Sequence, residues 1–242
     1  MAVVLESTTG PVNRVSGSSL TIAYPSSIAA DNLILAVAQG NSGNYNLGTS
    51  YGFTQLDFIQ QNQSGVTREV EVWYKIAAGT ESGNLTVTGP GNSFTITLFR
   101  FSNSTGSWDL AACENSAATA TSHSITATAN PGIEAGDYII AAATIGGAAN
   151  SANAGGASAE AITASGCTFI NEVEFADGLN TTGGDHYYII SQHECDSGPA
   201  SGAPTYSFNI VNTYPAMMML TRIREAAAAS FTPRRPLTGV GL

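Results

Sequence analysis

The sequence is short of charge. Asp, Glu, Lys and Arg make up 11% of its 242 residues, against about 25% in a typical soluble domain. Lys75 is the only lysine, and the balance is acidic at −10. A nucleic-acid binder draws its affinity from Lys and Arg set against phosphates, so no nucleic-acid partner is expected. The same balance argues against an anionic membrane surface. Cysteine is scarce and odd in number: Cys113, Cys167 and Cys195 cannot all pair within one chain. A disulfide scaffold is therefore not expected, and the simplest reading is free, half-buried thiols in a protein made in a reducing cytoplasm. No apolar run approaches the roughly 18 residues of a membrane span. Met1 to Glu6 lacks the basic region and apolar core of a secretory signal. Helical periodicity is almost absent before residue 216. Nucleophile elbows, phosphate loops, dinucleotide fingerprints, and deaminase and zincin patterns are missing too. The chain is not expected to be an enzyme, and no catalytic residue is assigned.

What fills the chain is Ala, Gly, Ser, Thr and Asn, between short runs of Val, Ile, Tyr and Phe. Apolar residues reach 43%, too many for a disordered chain. Alternating runs broken by Gly and Pro predict an all-β antiparallel sandwich of jelly-roll or Greek-key type. Arg68 to Ile76 alternates most cleanly. It sets Val70, Val72, Tyr74 and Ile76 on one face and Glu69, Glu71, Trp73 and Lys75 on the other, which reads as solvent-facing. Residues 103–122 read as a polar connector, and 40–52 as a loop.

One stretch is used twice. Leu20 to Tyr24, Pro25, Asp31-Asn32 and Leu33 to Ala38 match Ile125 to Ala129, Pro131, Gly136-Asp137 and Tyr138 to Ala143. In the same order, Gly52-Phe53-Thr54 matches Gly166-Cys167-Thr168, Val72 to Ile76 matches His186 to Ile190, and Leu98 to Phe101 matches Leu220 to Ile223. Two similar halves, about 15–102 and 123–226, are thus expected within one sandwich spanning residues 1–226. Each half alone would expose an apolar sheet face. Asp31 and Asp137 then read as corner-formers.

Residues 227–242 differ. Two prolines and two glycines exclude a central strand. This segment is either a frayed tail or an extended C-terminal arm. As an arm, Phe231, Leu237, Val240 and Leu242 anchor on a neighbouring subunit, and Arg234 and Arg235 meet its carboxylates.

Four other groups invite chemistry. Tyr45, Tyr51, Trp73 and Trp108 are candidates for glycan or partner contact, because aromatics in loops on a rigid sheet stack on sugars. Glu69 with Glu71, and Glu172 with Glu174, are paired carboxylates of the kind glycoside hydrolysis uses. His193 and Cys195 share a strand face, with His186 in reach, but a zinc site wants four compactly spaced ligands, so no metal site is assigned. A structural calcium stays open at Asp31-Asn32 and at Asp177 to Asn180, where loop carbonyls suit a hard cation, although the same residues are ordinary turn formers.

The run Pro25 to Ile34, then Gly52-Phe53-Thr54, Val72 to Ala77 and Leu85 to Thr88 resembles a β-sandwich module of tailed-phage virion structural proteins. If both halves count, the resemblance covers roughly 19–226. The chain departs at Asp31-Asn32, where the family has Gly-Asp, and at Phe53 and Cys167, where it has Trp. No catalytic residue or cofactor carries over. The resemblance implies capsid decoration, head-fibre or tail attachment. The expectation is a virion protein made in the host cytoplasm, a homo-oligomer such as a trimer, set against major capsid or other virion proteins. Host-glycan binding is the competing reading, with glycoside hydrolysis behind it.

Overall fold

The computed structural model describes residues 3–14, 19–41, 45–63, 66–89, 94–146, 158–179 and 186–227. All pairings between its strands are antiparallel. The first half runs β1 (Val4–Arg14), β2 (Ser19–Ala23), β3 (Ala30–Asn41), α1 (Leu47–Tyr51), β4 (Thr54–Gln63), β5 (Val66–Ala78), β6 (Asn84–Thr88) and β7 (Phe94–Ser102). The second runs β8 (Trp108–Thr126), β9 (Tyr138–Gly146), β10 (Ser158–Thr163), β11 (Thr168–Leu179), β12 (His186–Ser197) and β13 (Thr205–Glu225).

The halves share one topology. In the first, a five-stranded sheet has the order β1-β7-β3-β5-β4, and β2 pairs with β6 beside it. In the second, the order β8-β13-β9-β12-β11 repeats that sheet. The end of β8 and the start of β13 stand where β2 and β6 do, pairing Ser122–Thr126 with Asn209–Thr205. One long strand thus replaces two short ones on each side. β10 adds an extra strand to the start of β13. The matching units begin at Val4 and Trp108, because β1 and the first part of β8 hold equivalent edges.

Register makes the equivalence residue-specific. Leu33 pairs with Phe101 and Ile76, and Tyr138 pairs with Ile223 and Glu194. Leu98 to Phe101 therefore matches Leu220 to Ile223, as the sequence suggests. For β5 and β12 the register differs from the sequence match: Val72 corresponds to Ile190, not to His186. A slip of an even number of residues keeps every side chain on its face, so alternation alone cannot choose between the two.

Three apolar cores stack along the normal to the sheets. Leu33, Leu35, Val37, Val70, Val72, Phe99 and Phe101 meet Tyr138, Ile140, Ala142, Ile190, Met219 and Ile223 between the two five-stranded sheets. On its far face, the first sheet packs Ile34, Ile96 and Leu98 against Ile22, Leu85 and Val87 of the β2–β6 pair. The second sheet does the same with Ile139, Ala141 and Met218 against Ile125, Tyr206 and Phe208. Both faces of β3 are covered, and Leu33 to Ala38 are fully buried. That is why this strand reads as a continuous apolar run. Across the central core β4 lies over β8, the counterpart of β1. The sheets therefore face each other with strand order reversed, as a pseudo-twofold requires.

Three sequence expectations are corrected. Residues 103–122 are not a connector: β8 begins at Trp108 and pairs with β13 along its length. Residues 40–52 include α1, a single helical turn that puts Leu47 in the core. Cys167 and Cys195 form a disulfide with Cα atoms 6.5 Å apart, and only Cys113 is free. An odd count forbids complete pairing but not one pair, and Cys195 on β12 stands opposite Phe169 on β11, beside Cys167.

Candidate functional site

The four aromatics singled out as contact residues do not come together. Tyr45 is buried, its ring 5.2 Å from that of Phe94. Tyr51 is spent on the β6 backbone: its hydroxyl donates to Thr86 O at 3.1 Å and accepts from Thr86 N at 2.6 Å. Trp73 is half-buried and donates from Nε1 to Glu71 Oε2 at 2.6 Å. Trp108 lines a groove.

That groove has a volume of about 610 Å³ and lies on the seam between the halves. Trp108 opens β8, and its Nε1 donates to Asp31 O at 2.9 Å, which ties the second half to the corner of the first. Facing it are Tyr74 and Ile76 of β5 and Leu56 of β4. Sequence alternation put Tyr74 in the core with Val70 and Val72. It shares their face, but near the end of β5 it is only half-buried. Asp109 supplies the polar wall. Arg222 Nη1 and Nη2 donate to its two oxygens at 2.9 and 2.8 Å, and these bonds hold its carboxyl below the usual range. The groove thus offers two aromatic rings and a fixed carboxylate acceptor, surfaces and a partner for hydroxyls that suit a polyol. Neither Asp109 nor Arg222 carries a motif that sequence reasoning could have used.

The carboxylates on β5 are not on a solvent face. Glu69 and Glu71 are both buried, and Trp73 on the same strand bonds Glu71. Gln60 Nε2 donates to Glu69 Oε2 at 2.7 Å, and Gln55 and Trp73 donate to Glu71. Burial, and then a hydrogen bond to Glu69, push Glu71 up to about 9. Two carboxyls in hydrogen-bond contact leave no room for the glycosidic bond that must lie between a hydrolase pair. The side chains of Glu172 and Glu174 lie outside the described residues. A second acidic contact crosses the seam, where Asp57 of β4 hydrogen-bonds Glu114 of β8 and, after burial, raises it.

His193 and Cys195 do share a face, as alternation predicts, but Cys195 is spent on the disulfide. His193 Nε2 contacts Ser191 Oγ at 2.7 Å, and that hydroxyl contacts Tyr206 OH at 2.8 Å. All three are buried in the core of the second half. At Asp31-Asn32, Asn32 Oδ1 accepts from Ala29 N and Arg100 Nη1. The side chain of Asp177, and Asn180, lie outside the described residues. So do Phe231, Arg234, Arg235, Leu237, Val240 and Leu242. Among the described residues no group of three or more His, Cys, Asp or Glu is placed to hold a metal ion, and no helix is long and apolar enough to cross a membrane. No family model, curated protein or solved structure matches the chain.

Proposed function

We propose that the chain is a non-enzymatic structural protein of a phage-like virion, an exterior decoration or head-fibre subunit that stabilises the particle through subunit contacts. The observation that carries this reading is the use made of the ionisable groups. Arg100, Arg222 and Arg224 are committed to backbone oxygens and carboxyls at corners and edges, and the two halves close on each other through an apolar core. Such a body offers rigid faces for neighbours rather than a cleft for turnover. A disulfide suits a particle that persists outside the cell. The arm is the expected tether, and deleting residues 227–242 tests it. Incorporation into particles, or oligomerisation by light scattering, is expected to fall at least tenfold; unchanged assembly would remove the arm.

A second reading, host-glycan attachment, is favoured by the Trp108–Tyr74 groove with its fixed carboxylate. Glycan-array binding that survives Tyr74→Ala and Asp109→Asn would dispose of it.

A further inference from the structure

We propose that Glu69 and Glu71, together with Tyr45, form a binding site for a hard divalent cation of the calcium class. This inference does not depend on the virion reading.

The second half of the chain provides an internal control. Ala38 pairs with Glu71 and Gly40 with Glu69, while at the same places of the second half Ala143 pairs with Ile189 and Ile145 with Tyr187. Ile189 is fully buried in an apolar core. The fold is therefore content with an apolar residue where the first half buries Glu71. Burying a carboxylate costs several kcal/mol unless it is compensated, roughly as for any desolvated ion. The scaffold does not ask for that cost.

Tyr45 carries a second unmet cost. It is 3% exposed, and its hydroxyl has no hydrogen-bond partner among the described residues. It sits close enough to Glu69 and Glu71 for both charges to raise its pKa, after burial. A buried, unpartnered hydroxyl beside two carboxylates costs about 1–3 kcal/mol unless something else fills its valence. A cation, or water bound to one, gives all three groups a common partner.

The surroundings fit oxygen coordination. Two carboxylates and a phenol oxygen are in place, and Gln55 and Gln60 bracket them. Each amide donates N–H to a carboxylate here. Turned over, each offers its carbonyl oxygen instead, which gives the oxygen-rich shell that calcium prefers. Lys75, the one lysine, is already held by Glu81 at 3.1 Å and by Tyr51 O at 3.2 Å. Gly40 and Ala38, the cross-strand partners of Glu69 and Glu71, are small.

Terbium is the probe, because Trp73 touches Glu71 and can sensitise a lanthanide bound there. Tryptophan-excited terbium luminescence is expected from the full chain, and calcium is expected to quench it by competition. Calcium at a hundredfold excess over its Kd is expected to raise Tm by about 5–10 °C, reversed by chelator. The double variant Glu69→Gln/Glu71→Gln keeps shape and should lose both responses. Trp73→Phe should lose the luminescence yet keep the calcium-dependent rise in Tm. If the native chain gives neither luminescence nor a shift in Tm, the pair holds a proton and the site is overturned. It is equally overturned if the double variant is folded by circular dichroism and still responds.

Discussion

Asn32 and Asp137 make the same corner in the two halves. Asn32 Oδ1 accepts the Ala29 N–H at 3.0 Å, and Asp137 Oδ2 accepts the Glu134 N–H at 2.7 Å. Each returns its own N–H to the carbonyl of that same residue, at 3.3 and 3.2 Å. Each follows a residue in the left-handed region, Asp31 at φ 66° and Gly136 at φ 83°. Both corners need a short side chain with an acceptor, which is why Asn and Asp serve alike. They differ in charge. Arg100 Nη1 reaches Asn32 at 3.1 Å, whereas Arg224 grips Asp137 through Nε and Nη2, both at 2.6 Å.

Asp137→Asn should therefore be mild, about 1 kcal/mol, since the corner bond survives and only the charge-assisted grip is weakened. Asp137→Ala removes both and should cost about 2–4 kcal/mol, the side chain being buried while Arg224 retains some access to water. Denaturant midpoints rank the two variants. Equal losses would mean that the corner bond contributes nothing.

Stability should fall as pH drops through the His193 range. Burial lowers this imidazole from its usual 6.5 to about 4. The unfolded chain then binds a proton that the folded chain refuses. His193 thus leaves stability untouched above pH 6.5 and erodes it between about 6.5 and 4, by roughly 3 kcal/mol in all. His193→Gln can keep a bond to Ser191 without titrating. Its stability should vary less over that pH window, measured by denaturant unfolding at stepped pH. An unchanged slope would place the acid sensitivity elsewhere.

The thiols give a count. Cys113 is buried, and burial, followed by Glu114 and Asp57, pushes it up to about 12. A thiol reagent should find no reactive cysteine in the native chain. It should find one after denaturation, and all three after denaturation with reductant, as the Cys167–Cys195 pairing requires. Reducing that bond frees a loop with sequence separation 28, and should cost about 3.5 kcal/mol by loop-closure entropy.

How much of this was legible follows from what each residue's pattern encodes. Leu33 to Ala38 announced a strand covered on both faces, and the small-residue corners announced the repeat, because both are local. Glu69, Glu71 and Tyr45 misled, since alternation tells which face a side chain takes but not what covers it. Tyr45 joins the core formed with Leu47 of α1 and the β2–β6 pair, which forms only when strands distant in sequence come together. Trp108 stands out in the sequence as an aromatic outside the alternating runs, but alternation puts its partner Tyr74 in the core, because a strand's alternation does not say where the core ends. Cys167 and Cys195 could be paired only once the register of β11 on β12 was known.

The last prediction concerns the central core. The first half can be cut after Gly106, ahead of β8. It then carries Leu33, Leu35, Val37, Val70, Val72, Phe99 and Phe101 on a face that the second half normally covers. Its other face is closed by the β2–β6 pair, so the half has a core of its own and should fold. An apolar sheet face of that extent does not stay in water. The pseudo-twofold supplies the remedy, because a second copy can approach as the second half does. Residues 1–106 alone should therefore run as a dimer by light scattering, and Leu35→Glu with Val72→Glu should return it to a monomer. A monomeric wild-type half at the same concentration would mean that the central core is too weak to hold like sheets together. Loss of β structure in the isolated half would instead mean that the central core is needed for each sandwich to form.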